Sequence, residues 1–167
     1  MFPAGAAGAL GAAAAAGAQV THVDASKGMV TWAKENAVSS GLGDAPIRWL
    51  VDDCVKFVER EIRRGNTYDA IIMDPPSYGR GPKGEIWKIE DMIHPLIKLC
   101  TKILSKDALF FLVNSYTTGL APAVLTYMIS TELKPWNGHV DSQEIGLPVT
   151  DSGLVLPCGA SGRWERD

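Results

Sequence analysis

Residues 68–79 read Tyr68-Asp-Ala-Ile-Ile-Met-Asp74-Pro-Pro-Ser-Tyr-Gly79. The apolar centre, Ala70 to Met73, has the length and composition of a buried strand. It stops at an acid followed by two prolines. Pro75 and Pro76 fix φ and remove two backbone donors. The Asp74 carboxylate and the Pro75 carbonyl are then both free to face a cleft as acceptors. Two such acceptors hold an amine and aim its lone pair at an electrophile. Tyr78 suits stacking on a planar base. The plain alternative is a proline turn that ends a strand, with Tyr78 packed on it.

Similar units flank this stretch on both sides. Val20 to Asp24 and Ile47 to Val51 read as strands, and Ser26 to Ser40 and Cys54 to Arg64 have helical apolar spacing. Gly41 and Gly43 follow the first helix and Gly65 the second, as expected past helix C-termini. Ser77 to Gly84 reads as a loop rich in Gly and basic residues. Glu90 to Leu104 has helical spacing, with Pro95 marking a start or a kink. Ala108 to Val113 is a continuous apolar run, and Ala121 to Leu133 is a further helix. Val140 to Leu147 and Leu154 to Ser161 form a hairpin across Pro148, Asp151, Ser152 and Gly153. The tail, Gly162 to Asp167, is polar and is expected to fray. Alternating strands and helices predict one α/β domain over residues 1–167, with a mostly parallel sheet, helices on both faces and one antiparallel strand from the hairpin.

Three successive strands of this pattern end in acids: Asp24, Asp53 (after Asp52) and Asp74. Ligands of open parallel sheets bind beyond the carboxyl ends of the strands. A carboxylate there accepts two hydrogen bonds, which suits the paired hydroxyls of a ribose. An acid on the next strand suits an adenine amine, and one on the strand after that suits the reacting end of a cofactor. Each acid alone also makes an ordinary helix N-cap.

The 167 residues carry 16 basic and 19 acidic side chains, a net charge of −3. A 46% apolar and 21% charged composition excludes a disordered chain or a coiled-coil rod. No chain-wide basic field exists to hold nucleic acid or a membrane. Three scattered cysteines, Cys54, Cys100 and Cys158, suggest neither a disulfide framework nor a metal site, and an odd number fits a reducing cytoplasm.

The run from Val20 to Ser161 resembles the class I S-adenosylmethionine-dependent methyltransferases, in particular the branch of the large-subunit ribosomal RNA methyltransferases I and K/L. The resemblance rests on Thr21-His-Val-Asp-Ala-Ser26, Trp32-Ala-Lys-Glu-Asn36, Val51-Asp-Asp-Cys54 and Asp74-Pro-Pro-Ser-Tyr-Gly-Arg-Gly-Pro82. It implies a Rossmann-like sheet of seven strands with the last antiparallel. It also implies that Asp24, with Ala25 and Ser26, holds the ribose of S-adenosylmethionine, and that Asp53 and the Cys54 backbone hold its adenine. Asp74, Pro75 and Tyr78 would serve the methionine end and the substrate, with RNA as the expected partner. Members that make 5-methylcytosine need a cysteine nucleophile. The corresponding positions here are Asn114-Ser115 and Pro76, so a nitrogen or oxygen acceptor is expected, methylated by direct displacement.

Arg80, Lys83 and Lys88 surround Trp87 after the motif, a mix that suits RNA or merely a solvated loop. Arg60, Arg63 and Arg64 read as a solvated helix end. Residues 1–19 hold ten Ala, four Gly and no charge. Gly5, Gly8 and Gly11 are placed where a cofactor-binding glycine turn belongs, with Ala12 to Ala16 as the helix after it. Only four residues precede Gly5, too few for a central strand of ~5–6 residues. The expectation is a domain whose first strand is missing, or a divergent start in which the Ala/Gly run forms only a helix. Two other functions stay open: a nicotinamide-dependent oxidoreductase, in which Asp74-Pro-Pro has no role, and a non-catalytic interaction module.

Overall fold

The computed structural model describes residues 5–81, 84–117 and 119–167. In chain order the elements are α1 (Gly5–Ala15), β1 (Val20–Asp24), α2 (Lys27–Ser39), β2 (Ile47–Val51), α3 (Cys54–Arg64), β3 (Ala70–Met73), β4 (Tyr78–Arg80), β5 (Ile86–Lys88), α4 (Ile89–Thr101), β6 (Phe110–Ser115), α5 (Pro122–Glu132), β7 (His139–Pro148) and β8 (Val155–Glu165).

Local chemistry sets most of the boundaries. Ser26 caps α2 by accepting the Met29 amide at 3.4 Å, and Asp53 caps α3 by accepting the Lys56 amide at 2.9 Å. Gly65 ends α3 at φ 70°, a left-handed turn that costs glycine no Cβ clash, and its amide returns to the Glu61 and Ile62 carbonyls. Pro95 lies inside α4, which starts at Ile89 and runs through it.

The strands form two main groups. β1 pairs with β2 in parallel, and β3, β6, β8 and β7 form a second sheet in that order. β3 and β6 are parallel, while β8 runs antiparallel to both β6 and β7. The hairpin thus supplies the antiparallel strand. Phe111 and Val113 of β6, Ile97 of α4, Leu125 and Ile129 of α5 and Trp164 of β8 are almost wholly buried. Each such side chain contributes about 1.5–3 kcal/mol.

Three expectations change. The tail does not fray from Gly162: β8 continues to Glu165, where Phe110 pairs with Glu165 and Phe111 with Trp164. The reason is packing, since Trp164 is 1% exposed beneath the sheet. The stretch from Ser77 to Gly84 is not wholly a loop, because Tyr78–Arg80 pairs antiparallel with Ile86–Lys88. The Ala/Gly run is helical from Gly5, with Leu10 and Ala14, four residues apart, turned into the core.

Among the described residues, the two strand groups are not joined into one seven-stranded sheet. Between β1 and β3 lies a cavity of about 790 Å³ lined by consecutive residues of both strands, Val20 to Val23 and Ala70 to Met73. Leu10 and Ala13 of α1 close it on one side, and Phe57, Val58, Leu96 and Cys100 line it as well. The Thr21 side chain reaches Tyr68, just ahead of β3, so the starts of β1 and β3 lie near one another.

Candidate functional site

Asp24 is the last residue of β1, and Asp74 directly follows β3, whose parallel partner β6 ends at Ser115. Asp24 is fully buried and accepts the Ser26 amide at 2.7 Å, across the exposed Ala25. Asp53 is exposed and engaged as the cap of α3. Its neighbour Asp52 accepts the Asp53 amide at 2.9 Å and pairs with Arg60. The amide of Cys54, first in α3, has no carbonyl one turn back to bond. Its thiol donates to the Val23 carbonyl at 3.7 Å, tying α3 to β1. Burial pushes that thiol up to about 12, so it stays protonated at neutral pH and is no nucleophile. Cys100 is buried in α4 and is likewise pushed up to about 12.

Asp74 differs in kind. It is 0% exposed, and among the described residues no donor reaches either carboxylate oxygen. Burial raises its pKa from 3.8 to about 7. The following Pro75 is buried, and among the described residues no donor meets its carbonyl. The Pro76 carbonyl, by contrast, accepts the Trp87 indole N–H at 2.6 Å. Ser77 shares a 2.6 Å hydroxyl contact with Thr117, which fastens the turn to the loop after β6. Tyr78 is half exposed on β4, with the Arg80 guanidinium donating to its hydroxyl at 2.9 Å. Among the described residues the turn therefore holds two unused acceptors, Asp74 and Pro75, with an accessible aromatic ring, Tyr78, on the strand that follows.

The fold adds Tyr116, which no sequence motif marked. It directly follows β6, is 45% exposed, and is close enough to Asp74 that the carboxylate charge helps raise its pKa, after burial. Only its place after the strand end Asn114-Ser115 hinted at such a position. Gly5 and Gly8 sit in the opening turns of α1 rather than in a turn ahead of it. Of the basic residues, Arg64 is committed to Glu61 and Arg60 to Asp52, Arg80 and Lys88 lie on the β4–β5 hairpin, and Lys83 lies outside the described residues. Among the described residues, no three His, Cys, Asp or Glu side chains group as metal ligands, and no helix is long and apolar enough to cross a membrane.

This arrangement is the Rossmann-like fold of the S-adenosylmethionine-dependent methyltransferases. The SAM-dependent methyltransferase of Agrobacterium tumefaciens superposes with a TM-score of 0.85 at 42% identity, over 93% of this chain and 51% of that one. A methyltransferase solved in complex with SAH shares the fold at a TM-score of 0.70 and 20% identity, over 86% of this chain and 38% of its own. In sequence, the chain is 31% identical over 85 residues to the ribosomal RNA large subunit methyltransferase K/L of Shewanella frigidimarina, which covers 48% of this chain and 12% of that protein. It is 28% identical over 105 residues to the ribosomal RNA large subunit methyltransferase K of Neisseria meningitidis serogroup B, covering 62% of this chain and 30% of the relative. The chain thus spans about half the length of its solved relative and under a third of these curated ones. No family model matches it.

Proposed function

We propose that this chain forms catalytic machinery of an S-adenosylmethionine-dependent methyltransferase that acts on a nitrogen of RNA, with ribosomal RNA the first substrate to test. The observation that carries the proposal is Asp74, a buried carboxylate with two unused oxygens at the end of a parallel strand. A buried acid without a partner costs stability, and function is the ordinary reason to keep one.

The donor set suits the cofactor. When bound, S-adenosylmethionine supplies an electrophilic methyl group on a cationic sulfonium. Asp24 would accept from its ribose, Asp53 and the Cys54 amide would hold its adenine, and the opening amides of α1, with Gly5 and Gly8, would face its methionine end. Asp74 and the Pro75 carbonyl each accept one N–H of an acceptor amine. That leaves the nitrogen lone pair directed outward, which is positioning rather than covalent catalysis. Tyr78 and Tyr116 provide rings on which the target base stacks. The high thiol pKa of Cys54 and the burial of Cys100 fit a nitrogen acceptor, since carbon methylation of cytosine needs a thiolate. A nicotinamide-dependent oxidoreductase would leave Asp74 without work.

The cavity between β1 and β3 belongs to the same proposal. A strand has unpaired N–H and C=O groups along each open edge. Two such edges face one another here across an apolar space, and a further strand between them would make the sheet continuous.

Calorimetry with S-adenosylhomocysteine, together with transfer of tritiated methyl to ribosomal RNA, tests the function. Saturable binding and labelling of a purine or pyrimidine nitrogen, read by nucleoside mass spectrometry, are expected. Absence of binding by the full-length protein would overturn it.

A further inference from the structure

The β4–β5 hairpin follows the Asp74-Pro-Pro turn directly. Its second strand carries Trp87, opposite Gly79 in the pairing. The Trp87 indole N–H donates to the Pro76 carbonyl at 2.6 Å, a short bond for an N–H donor. The backbone supports the same contact, since the Ile89 amide donates to the Ser77 carbonyl at 3.1 Å. Gly79 is a neighbour of Trp87 across the hairpin, where an added Cβ would stand at ordinary contact distance, 3.6 Å, from the Trp87 Cβ. The rest of the indole packs against the hydrophobic core. A rigid, core-anchored donor is thus spent on the second proline of the motif, leaving the first untouched.

Resting on the methyltransferase reading, we infer that Trp87 is a positioning residue that selects which acceptors of the Asp74-Pro75-Pro76 turn face the substrate. By occupying the Pro76 carbonyl it withdraws a third acceptor. It also holds the turn so that Asp74 and the Pro75 carbonyl stand as a matched pair. An amine with two N–H groups gives one to an Asp74 oxygen and one to the Pro75 carbonyl, which selects an exocyclic or primary amine. An acceptor with a single N–H leaves one of these two groups without a donor, a difference specificity can use.

The decisive variant replaces Trp87 with benzothienylalanine, which keeps the bulk and exchanges the N–H for sulfur; Trp87→Phe is its coarser companion. Three measurements go together. With the full-length protein, kcat for methyl transfer is expected to fall about tenfold while KM for S-adenosylmethionine stays within twofold. Independently of turnover, NMR titration of the Asp74 carboxyl is expected to show its midpoint falling toward the ordinary aspartate value as water enters the loosened turn. Amide exchange at residues 78–80 should quicken, with the melting temperature held within about 2 °C in the isosteric variant. An unmoved Asp74 midpoint and unchanged hairpin exchange would overturn the inference even if the protein transfers methyl groups. The expected NMR response in the Trp87 variants, alongside wild-type protein that binds no S-adenosylhomocysteine, would overturn the methyltransferase reading instead, and with it the role in selecting substrate.

Discussion

Asp24 closes β1 and Asp74 directly follows β3, and both are fully buried, yet Asp24 accepts the Ser26 amide at 2.7 Å while among the described residues nothing donates to Asp74. The first carboxylate contributes to the fold. The second only costs the fold, because the unfolded chain solvates it freely.

Asp74→Asn is therefore expected to separate stability from activity. A pKa carried from 3.8 to about 7 means that the folded chain holds a proton there which the unfolded chain has released. Stability from this group is full below about pH 4 and is lost as the pH rises to 7, a span worth on the order of 4 kcal/mol. Calorimetry from pH 4 to 8 should show wild-type melting temperature falling across that window and the variant losing this slope. Methyl transfer should drop by at least about a hundredfold in the variant.

Glu61 behaves in the opposite sense. It is fully buried in α3, and burial alone would raise its pKa. Hydrogen bonds from Asn66 at 2.8 Å, Tyr68 at 2.9 Å and Arg64 at 2.9 Å outweigh that and hold it below the usual range. The depressed pKa contributes stability above the unfolded value of an exposed glutamate, which is lost as the pH falls through the folded one. Tyr68→Phe removes one donor and should cost about 1–3 kcal/mol at pH 7. The cost should shrink in acid, as urea titrations at pH 7 and pH 4 would register.

Tyr78→Ala should weaken RNA more than cofactor. The ring is half exposed, so the melting temperature should change little. Stacking on one base is worth about 1–3 kcal/mol, which predicts a KM for RNA raised roughly five- to a hundredfold. S-adenosylhomocysteine affinity measured on the same sample should stay within about threefold.

Deleting residues 162–167 should unfold the second sheet. Gly162 to Glu165 of β8 pair with Val113 to Phe110 of β6 on one side and with Ser142 to His139 of β7 on the other. Trp164→Ala alone should cost about 3–5 kcal/mol. Circular dichroism in urea distinguishes this from a dispensable tail, whose removal would leave the transition unchanged.

Hydrogen exchange should rank the strands by their pairing. β6 is bonded on both edges, whereas β1 and β3 each pair on one edge and face the cavity on the other. Amides of Phe110 to Ser115 should exchange most slowly, and part of Val20 to Val23 and Ala70 to Met73 much faster.

Much of this was written locally. The strands at Val20 and Ile47, the capped helices after Ser26 and Asp53, and the Asp74-Pro-Pro stop each depend on a few adjacent residues, so patterning and turn chemistry reveal them. The Asp24, Asp53 and Asp74 series was legible because alternating strands and helices put successive strand ends on one edge. What depends on partners distant in sequence was not legible. A polar tail became a central strand because Trp164 found a buried seat opposite Phe111. A glycine-rich loop became a hairpin because Trp87 reached the Pro76 carbonyl. Tyr116 joined the site only through the placement of β6 beside β3. Nor does the order of residues say which of three similar acids lacks a donor, since hydrogen-bond satisfaction is settled by neighbours in space. By itself the sequence determined the alternating α/β frame and its acidic strand ends, because their causes are local. Only the tertiary structure decided that Asp74 is the unpaired one and that β1 and β3 leave a strand-lined space between them, because burial and edge pairing are properties of the assembled chain.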